Sequence, residues 1–411
     1  MFRYIDLFCG IGGFHQGVER ISKKYGIQTE CLFAADNDLA VSKIYEKNYG
    51  IPCFFDLKHE KTHELIDAAI GDEELTCIFA GFPCQPFSKA GRQEGFNNQM
   101  KGTLYFEIEK IIHRHHPAYI LLENVRNLRN HDGGNTWKVI KNSLEEEGYF
   151  VDDIIVSPNQ IESIPALRER FFVMAYNKDK LSIDDQVVKI HLDKKYYDTS
   201  IYTWRNFEKG LNRKYFQRGL PSDIDSLHIS IINMWNDLYH RLKDDNRHII
   251  SPIWPKFFDE SIDLSDIPEW KIKLIKKNQR FYKENKDIYD KWYFENKTFF
   301  DSIPASSQKF EWNAGDAIDD IWKGIIQFRP SGVRVKRPDF VPTLVAINQT
   351  PILGVEKRYL SVEEMCKLYG FTNLKLAEQN DAETCKQLGN TVSVDVVEFL
   401  IKHMLTVTGY F

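Results

Sequence analysis

Short apolar runs alternate with amphipathic stretches over residues 1–180 of the chain. The runs predict strands, because they are four to seven residues long and end at glycine, proline or charged positions. The predicted strands are 4–9, 29–35, 51–55, 76–80, 119–122, 150–156 and 171–176, and the clearest helices are 14–24, 103–115 and 136–147. This alternation favours a doubly wound α/β fold with a mainly parallel sheet, in which ligands bind at the carboxyl ends of the strands.

A glycine-rich turn separates the first predicted strand from the first helix. Gly10, Gly12 and Gly13 would let a ligand approach backbone N–H groups closely at this turn. Asp36 follows the second strand, 23 residues after Gly13, which is the spacing at which an acidic side chain meets ribose hydroxyls in doubly wound folds. The alternative is a plain strand-to-helix corner with a solvated Asp36.

Residues 81–88 read GFPCQPFS and place Cys84 where the strand 76–80 runs into a loop. A side chain at such a position can reach a ligand, although a lone cysteine can also be a small buried hydrophobe. Glu123 follows the next strand, so the two side chains are predicted to share a pocket. A thiolate paired with a carboxyl group suits attack on an electron-poor ring carbon, with the acid donating a proton or hydrogen bond to a ring nitrogen.

Two arginines follow further along the chain. Arg168 and Arg170 flank Glu169 at strand spacing, which predicts that both point to one face and are available to a carbonyl oxygen and to phosphate. A solvated strand edge is the alternative interpretation.

Composition excludes several classes of protein. The seven cysteines are an odd number and include no CxxC pair, which argues against a disulfide framework and a zinc cluster and favours a reducing cytoplasm. No apolar run approaches the ~20 residues that a bilayer span needs, and the N-terminus does not resemble a signal peptide. The net charge is −5, yet residues 321–360 hold seven Lys and Arg against two Asp and Glu. A local basic segment of this kind can bind phosphate in an acidic protein.

Six sequence blocks resemble, in order, the signature blocks of DNA cytosine-5 methyltransferases of the bacterial restriction-modification type. They are DLFCGIGGF (6–14), GFPCQPFS (81–88), ENV (123–125), RER (168–170), RPSGVRVKRPDFVPTLVA (329–346) and KQLGNTVSVDVV (386–397). The resemblance covers roughly residues 1–180 and 325–411.

The resemblance implies a methyltransferase that uses S-adenosylmethionine to methylate cytosine C5 at specific sites in double-stranded DNA. Cys84 would attack C6 of a flipped-out cytosine. Glu123 would contact N3 and the exocyclic amine, Arg168 would contact O2, and Arg170 would support the carboxylate or the loop that holds the cysteine.

The resemblance also implies binding residues. The cofactor would be bound by Phe8, Gly10, Ile11, Gly12, Gly13, Asp36, Asn37, Asp56, Leu57, Pro83, Leu104, Asn390 and Thr391. DNA would be bound by Gln85, Ser88, Arg92, Arg334 and Lys336. No metal site is predicted. In the run 332–337, Val333 and Val335 are expected on one face of a strand, and the two cationic side chains on the other.

Two positions depart from the family pattern. Ala166 stands where the family often has glutamine, and Asp36 replaces the commoner glutamate. Neither change affects the predicted nucleophile or acid. Residues 84–102 contain several glycines and few apolar side chains, which predicts a mobile loop that closes over the flipped base.

The middle of the chain differs in composition from its ends, because seven of the eight tryptophans lie between Trp204 and Trp322. We expect most of these aromatic side chains to form a core rather than base-stacking platforms. The predicted domains are a catalytic and cofactor-binding domain over 1–185, a smaller target-recognition domain with hinge over 186–375 across a DNA cleft, and a C-terminal segment over 376–411 that returns to the catalytic domain.

Two rival functions remain open from the sequence. A tRNA cytosine-5 methyltransferase would use the same fold and cysteine chemistry, and a catalytically silent DNA-binding paralogue would keep the fold alone. The large middle segment favours DNA, and the intact Cys84, Glu123 and Arg168 favour activity. We expect a cytoplasmic monomer that acts on double-stranded DNA, has no membrane association, and is accompanied by a restriction endonuclease that acts separately.

Overall fold

A computed structural model of the chain describes residues 1–83, 104–161, 164–183, 189–190, 192, 213–344, 349–376 and 381–410. The chain divides into two compact units. Unit 1 comprises residues 1–199, 343–347 and 365–411, and unit 2 comprises residues 200–342 and 348–364. No helix in these described ranges combines the length and apolar character that crossing a membrane requires.

Unit 1 is built on a six-stranded sheet with helices on both faces. Its strands are β1 (Phe2–Leu7), β2 (Thr29–Ala35), β3 (Cys77–Ala80), β4 (Tyr119–Val125), β5 (Tyr149–Val156) and β6 (Arg170–Asn177). Its helices are α1 (Gly13–Tyr25), α2 (Leu39–Tyr49), α3 (Glu60–Ile70), α4 (Leu104–His115), α5 (Asn135–Glu146), α9 (Asp381–Asn390) and α10 (Val394–Val407). Helix α8 (Val362–Leu368) carries the chain from unit 2 into unit 1.

The strand order β2-β1-β3-β4-β6-β5 places the carboxyl ends of four strands side by side. Strands β2, β1, β3 and β4 are parallel. The last residues of β2, β1 and β3 are in register, with Leu7 opposite Ala35 and Ala80, and Ala80 is opposite Leu122, three residues before the end of β4. Strand β6 is antiparallel to both β4 and β5, and it begins with Arg170 opposite Val125. One edge of the sheet therefore collects the segments that follow β1, β2 and β3, the end of β4 and the beginning of β6.

Apolar side chains cover both faces of this sheet, as the doubly wound prediction requires. On one face, residues such as Ile5 and Ile78 pack against α3, α4 and α5. On the other, residues such as Tyr4 and Phe79 pack against α1 and α10. The last helix of the chain is thus part of the core of unit 1.

The predicted strand at 51–55 is wrong. The segment forms a single bridge between Asp36 and Phe54 and no ladder. Pro52 cannot donate a backbone hydrogen bond, and the apolar character that suggested a strand instead supplies buried Cys53 and half-buried Phe55. The first strand begins and ends two residues earlier than predicted, and Glu123 lies inside β4 rather than after it.

Unit 2 contains two long helices and a five-stranded sheet. The helices are α6 (Ser226–Asp244) and α7 (Glu269–Ser302). The strands are β7 (Phe310–Asn313), β8 (Ile325–Arg329), β9 (Gly332–Lys336), β10 (Ile352–Leu353) and β11 (Arg358–Tyr359), in the order β11-β10-β8-β9-β7. Trp235, Trp292 and Trp312 are buried in its core, as expected for aromatic side chains of this segment, whereas Trp270 is exposed.

The boundaries of the units differ from the predicted domain boundaries. The prediction divided the chain after residues 185 and 375, whereas the units divide after residues 199 and 364 and assign residues 343–347 to unit 1. The prediction placed the boundaries where the aromatic composition of the chain changes. A compact unit is instead defined by which segments pack together.

Asp6 is a fully buried aspartate next to the last residue of β1. Its Oδ2 accepts a hydrogen bond from the Tyr45 hydroxyl at 3.4 Å, and its Oδ1 makes no hydrogen bond within the described part of the chain. Burial raises the pKa of Asp6 well above its usual range, and the nearby Asp36 raises it further, while hydrogen bonds from Tyr45 and from the His15 backbone act in the opposite direction. The folded protein therefore keeps a proton on this side chain up to a higher pH than an exposed aspartate would.

This proton predicts a specific pH dependence of stability. Unfolded Asp6 ionises near pH ~3.9, so the contribution of Asp6 to the free energy of unfolding should fall by up to about 1.4 kcal/mol per pH unit from that pH up to the raised folded pKa. Asp6→Asn removes the titration, so denaturant unfolding at pH 5 and pH 8 should show a smaller decline for the variant. Asp72→Asn, at an exposed turn, is the control and should behave like the wild type. Equal pH dependence in wild type and Asp6→Asn would contradict the assignment.

Candidate active site

A cavity of about 560 Å³ opens at the collected strand ends of unit 1. Its size lies within the ~300–1,000 Å³ range of small-molecule sites. Thirteen of the predicted site residues line it, namely Phe8, Gly10, Ile11, Asp36, Asn37, Asp56, Leu57, Pro83, Leu104, Glu123, Arg168, Arg170 and Asn390. Residues that lie up to 382 positions apart in the sequence thus line one cavity.

Asp36 connects two loops at one end of the cavity. Its Oδ2 accepts a hydrogen bond from the Gly10 N–H at 3.0 Å, and its Oδ1 accepts one from the Asp38 N–H at 2.9 Å. Burial raises the pKa of Asp36, and these two backbone hydrogen bonds partly offset the effect. The carboxyl group therefore fixes the glycine turn relative to the start of α2, and Asp36 also lines the cavity.

Apolar side chains form the walls beside Asp36. Phe8 leaves β1 with a left-handed backbone (φ 56°), and it shares this wall with Val41, Phe55 and Leu57. A flat apolar group can lie between such side chains, while Asp36 and Asp56 supply acceptors at its edge. Gly10 has no atom within 4 Å of the position that a Cβ would occupy, so the turn leaves open space there.

Glu123 and Arg170 form a buried ion pair in the same cavity. The Arg170 Nε lies 3.0 Å from Glu123 Oε1, and the side chains are 16% and 10% exposed. Burial raises the pKa of Glu123, while Arg170 and Arg168 lower it again. Burial and the charge of Arg168 lower the pKa of Arg170 to about 10, so Arg170 remains a cation at neutral pH. Because burial is the largest of these effects on Glu123, its carboxyl group can hold a proton at a higher pH than an exposed glutamate.

Asn124 connects the end of β4 to the loop that follows β3. Its Nδ2 donates to the Phe82 carbonyl at 2.8 Å, and its Oδ1 accepts from the Val125 N–H at 2.9 Å. This contact fixes the backbone immediately before Pro83, which is exposed at the mouth of the cavity. The segment that leads to Cys84 therefore starts beside Glu123.

Arg168 lies at the cavity wall, but its guanidinium is directed into the protein. Nη1 donates to the Leu344 carbonyl at 3.4 Å and the Tyr369 hydroxyl at 3.3 Å, and Nη2 donates to the carbonyls of Gly389 at 3.0 Å and Thr391 at 2.5 Å. The residue is 3% exposed. It precedes β6, so the strand spacing that would place Arg168 and Arg170 on one face does not apply. Its Nε has no hydrogen-bond partner within the described residues, and the expected contact of Arg168 with a substrate carbonyl oxygen stays a prediction.

Three predicted cofactor residues do not line the cavity. A Cβ on Gly12 would lie 2.2 Å from the Tyr49 ring, and one on Gly13 would lie 2.5 Å from the Val392 side chain. These two glycines are therefore explained by close packing behind the turn rather than by ligand contact. Thr391 contributes its carbonyl to Arg168 and is otherwise buried.

Four predicted residues lie outside the described residues, namely Cys84, Gln85, Ser88 and Arg92, as does the predicted lid 84–102. Their roles remain predictions.

The sequence interpretation missed other residues that line the cavity. They are Ala35, Asp38, Val41, Phe55, Lys58, Gly81, Phe82, Asn124, Val125, Gln387 and Gly389. Most of them are next to a predicted site residue in the sequence. The sequence blocks therefore indicated which segments line the cavity, but not every residue within those segments that does so. Phe55 was assigned to a strand, which concealed its place in the wall.

In unit 2, Arg334 and Lys336 lie on the polar face of β9, and Val333 and Val335 are buried on the other, as predicted. Arg334 Nε donates to Glu311 Oε2 at 2.5 Å, and Arg329 Nη1 lies 3.5 Å from the same oxygen. Lys336 has no carboxylate within 4 Å in the described ranges. Its pKa is lowered by burial and then by Arg334 and Arg329. Arg334 and Arg329 thus share the Glu311 carboxylate, and Lys336 lies outside this pairing.

Comparison with known proteins connects this site to a reaction. The sequence profile described as C-5 cytosine-specific DNA methylase matches residues 2–406. The chain belongs to the C-5 cytosine-specific DNA methylase family. It is therefore a DNA cytosine-5 methyltransferase, and its reaction requires a methyl donor.

Individual proteins similar to this chain are also methyltransferases. Type II methyltransferase M.AluI of Cellulosimicrobium cellulans is 27% identical over 98% of this chain and 91% of its own length. M.HpaII of Haemophilus parainfluenzae is 39% identical over 43% of this chain and 46% of its own. The Dnmt2 methyltransferase of S. pombe matches 99% of both chains with a TM-score of 0.52 and 18% identity, which supports the fold alone.

The contacts of Arg168 predict a structural role that stability measurements can test. Lysine cannot reproduce donation to four acceptors, so Arg168→Lys should lower the free energy of unfolding by about 3 kcal/mol, as judged by urea denaturation. The matched control is Arg126→Lys, because Arg126 pairs with Glu169 at the exposed surface. That change should cost under about 0.5 kcal/mol. A stability of Arg168→Lys equal to that of the control would refute the structural role.

Proposed function

We propose that this DNA cytosine-5 methyltransferase methylates specific double-stranded sites with S-adenosylmethionine as the methyl donor, through transient covalent attack of Cys84 on a flipped-out cytosine. The observation that carries the proposal is one cavity that holds both the Asp36 wall and the Glu123–Arg170 pair. A methyl donor at the Asp36 wall and a pyrimidine ring at the Glu123–Arg170 pair would therefore occupy the same cavity.

The residues of the wall fit the proposed cofactor. Phe8, Phe55 and Leu57 would enclose its adenine, Asp36 would accept hydrogen bonds from ribose hydroxyls, and Asp56 would accept one from the adenine amine. The open space at Gly10 would admit the methionine part. When bound, this cofactor supplies an electrophilic methyl group on a sulfonium.

Glu123 would act as the acid toward the cytosine ring. Attack of the Cys84 thiolate on C6 forms an S–C6 bond and moves an electron pair through the ring to N3, where the Glu123 proton is accepted. C5 then becomes the nucleophile for the methyl group, whose bond to the sulfonium breaks and leaves a neutral thioether. Loss of the C5 proton to a base re-forms the C5=C6 bond and expels the Cys84 sulfur as a thiolate, while N3 returns its proton to Glu123, which restores the aromatic ring.

Arg170 is a better candidate than Arg168 for contact with the O2 oxygen of the base. Arg170 is adjacent to Glu123: its Nε lies 3.0 Å from Glu123 Oε1, and its Nη1 donates to the Glu169 carbonyl at 3.0 Å. Arg168 is committed to four other acceptors. We therefore assign Arg168 to holding the 389–391 segment in place and Arg170 to the substrate.

The relatives support a role in restriction-modification, because M.AluI and M.BanI are both Type II methyltransferases and match 98% of this chain. The proposal therefore includes a separate restriction endonuclease and a cytoplasmic location. A tRNA substrate is the rival, and activity on tRNA but not on duplex DNA would favour it.

The first test concerns the nucleophile and the acid. Cys84→Ala should abolish methylation, and Glu123→Gln should slow single-turnover methyl transfer by about 10²-fold or more because an amide cannot deliver a proton. Cys31→Ala, a cysteine outside the cavity, is the control and should retain activity. The readouts are bisulfite sequencing in cells that lack cytosine methylation and quenched-flow rates on duplex DNA.

The pH dependence separates the two groups. Above the Glu123 pKa, the wild type loses acid form as it gains thiolate, so its rate should become nearly independent of pH. Glu123→Gln has no acid to lose, and its residual rate should keep rising with pH until the thiol is ionised. Parallel profiles for the two proteins would exclude Glu123 as the acid, and methylation by Cys84→Ala would exclude the nucleophile.

The second test concerns the cations of unit 2, which we propose contact DNA phosphates. Lys336→Ala should weaken duplex binding and reduce the slope of log affinity against log salt by about 1, because one fewer counterion is released. Lys323→Ala is the control, since Lys323 is neutralised by Asp319 at 2.6 Å. Fluorescence anisotropy between low and moderate salt measures both. An unchanged slope for Lys336→Ala would remove this residue from the interface.

A further inference from the structure

We propose that His63 is a positioning residue for the cofactor wall, because its side chain fixes the carbonyl of Leu57 and so the loop at residues 56–58. The inference rests on the proposed S-adenosylmethionine site. His63 itself does not line the cavity, and none of the sequence blocks described above contains it.

The loop at residues 56–58 contributes three consecutive side chains to the cavity, those of Asp56, Leu57 and Lys58. It has no strand on either side, because β2 ends at Ala35 and the 51–55 segment forms only one bridge. Its conformation must therefore be fixed by contacts other than a sheet ladder.

Helix α3 supplies those contacts from its first turn. Thr62 Oγ1 donates to the Asp56 carbonyl at 2.7 Å, and His63 Nε2 lies 2.8 Å from the Leu57 carbonyl. Both side chains are buried. Two successive carbonyls of the loop are thus bound by two successive residues of the helix, which fixes the orientation of the peptide planes between them.

The surroundings of His63 determine which nitrogen carries its proton. Arg114 Nη2 lies 3.0 Å from His63 Nδ1, and a guanidinium can only donate, so Nδ1 must be the acceptor. The proton of the neutral ring is then on Nε2, where the Leu57 carbonyl and Glu107 Oε2, at 3.0 Å, both accept it. The direction of the hydrogen bond to the loop is therefore imposed by Arg114 and Glu107.

Other contacts in turn hold these two partners. Glu107 accepts a hydrogen bond from Lys110 at 2.8 Å, and Arg114 donates to Asp67 at 3.0 Å. His115 completes the network through Asp67 at 2.7 Å, and among the described residues it makes no hydrogen bond to the loop. A histidine that served packing alone would not need a defined tautomer. A histidine that must donate a hydrogen bond to the Leu57 carbonyl does need one.

Removal of the Nε2 donor should act on cofactor affinity rather than on chemistry. The Leu57 carbonyl would lose its buried partner, and the loop would relax into conformations in which Asp56 and Leu57 no longer line the wall. Glu123 and Arg170 are on β4 and β6, away from this loop in the sequence. The rate of methyl transfer with saturating cofactor should therefore change little.

The test compares three variants with the full-length wild type. His63→Phe removes the donor, His63→Gln keeps an N–H near the Nε2 position, and His115→Gln alters the same network away from the loop. Isothermal titration with S-adenosylhomocysteine, and steady-state kcat and KM values for S-adenosylmethionine and duplex DNA, are the measurements. His63→Phe should weaken cofactor binding and raise the cofactor KM about tenfold, with kcat and the DNA KM within about twofold. His63→Gln should restore most of the affinity, and His115→Gln should match the wild type.

Several outcomes would overturn the inference. One is equal cofactor affinity of His63→Phe and wild type, and another is a loss of kcat without a change in cofactor KM. Failure of the wild type itself to bind S-adenosylhomocysteine would overturn the cofactor assignment and this inference with it. If His63→Phe does not fold, Thr62→Val and His63→Gln are decisive. Thr62→Val should raise the cofactor KM alone and His63→Gln should not, and any other result contradicts the proposal.

Discussion

The buried carboxyl group of Glu123 is the constraint on which the candidate active site depends. A carboxylate at this depth is costly unless a cation accompanies it, and the cation here is Arg170 at 3.0 Å. Parallel strands can bring only their carboxyl ends to this edge of the sheet. Strand β6 runs the other way, so it brings its first residue, Arg170, to the end of β4. The change from parallel to antiparallel pairing at β4 is therefore what places an arginine beside the acid.

The same geometry separates the roles of two arginines that are two positions apart. Strand spacing would place Arg168 and Arg170 on one face, but β6 begins only at Arg170. Arg168 lies before the strand, where its backbone N–H is bound by the Ser157 hydroxyl at 2.8 Å and its guanidinium turns toward Gly389 and Thr391. One arginine thus balances the charge of the acid, and the other binds the backbone of a distant segment.

Much of this architecture could be predicted from the sequence, because buried strands and amphipathic helices leave local patterns. The six strands of unit 1 and the position of Asp36 after β2 follow from such patterns. Three features did not follow. The 51–55 run is apolar for a reason other than strand pairing, since Phe55 forms cavity wall. Gly12 is required by the Tyr49 ring, and Gly13 by Val392, which is 379 positions away. Local patterns do not record which distant side chain will approach a turn.

The part of the cavity wall formed by the C-terminal segment also depends on contacts with residues that are distant in the sequence. Gln387, Gly389 and Asn390 line the wall, and the hydrogen bonds of Arg168 to Gly389 and Thr391 hold them there. Helix α10 then packs against α1, and Arg20 binds Asp395 at 2.7 Å. The glycine turn and the segment 387–391 are therefore fixed by the same packing, since α1 begins directly after that turn. Pairing over more than 370 positions closes a long loop at an entropic cost, so this wall should be complete only after α10 has docked. Cofactor binding would then stabilise the docked segment by mass action, which links occupancy of the cavity to the integrity of the chain's last helices.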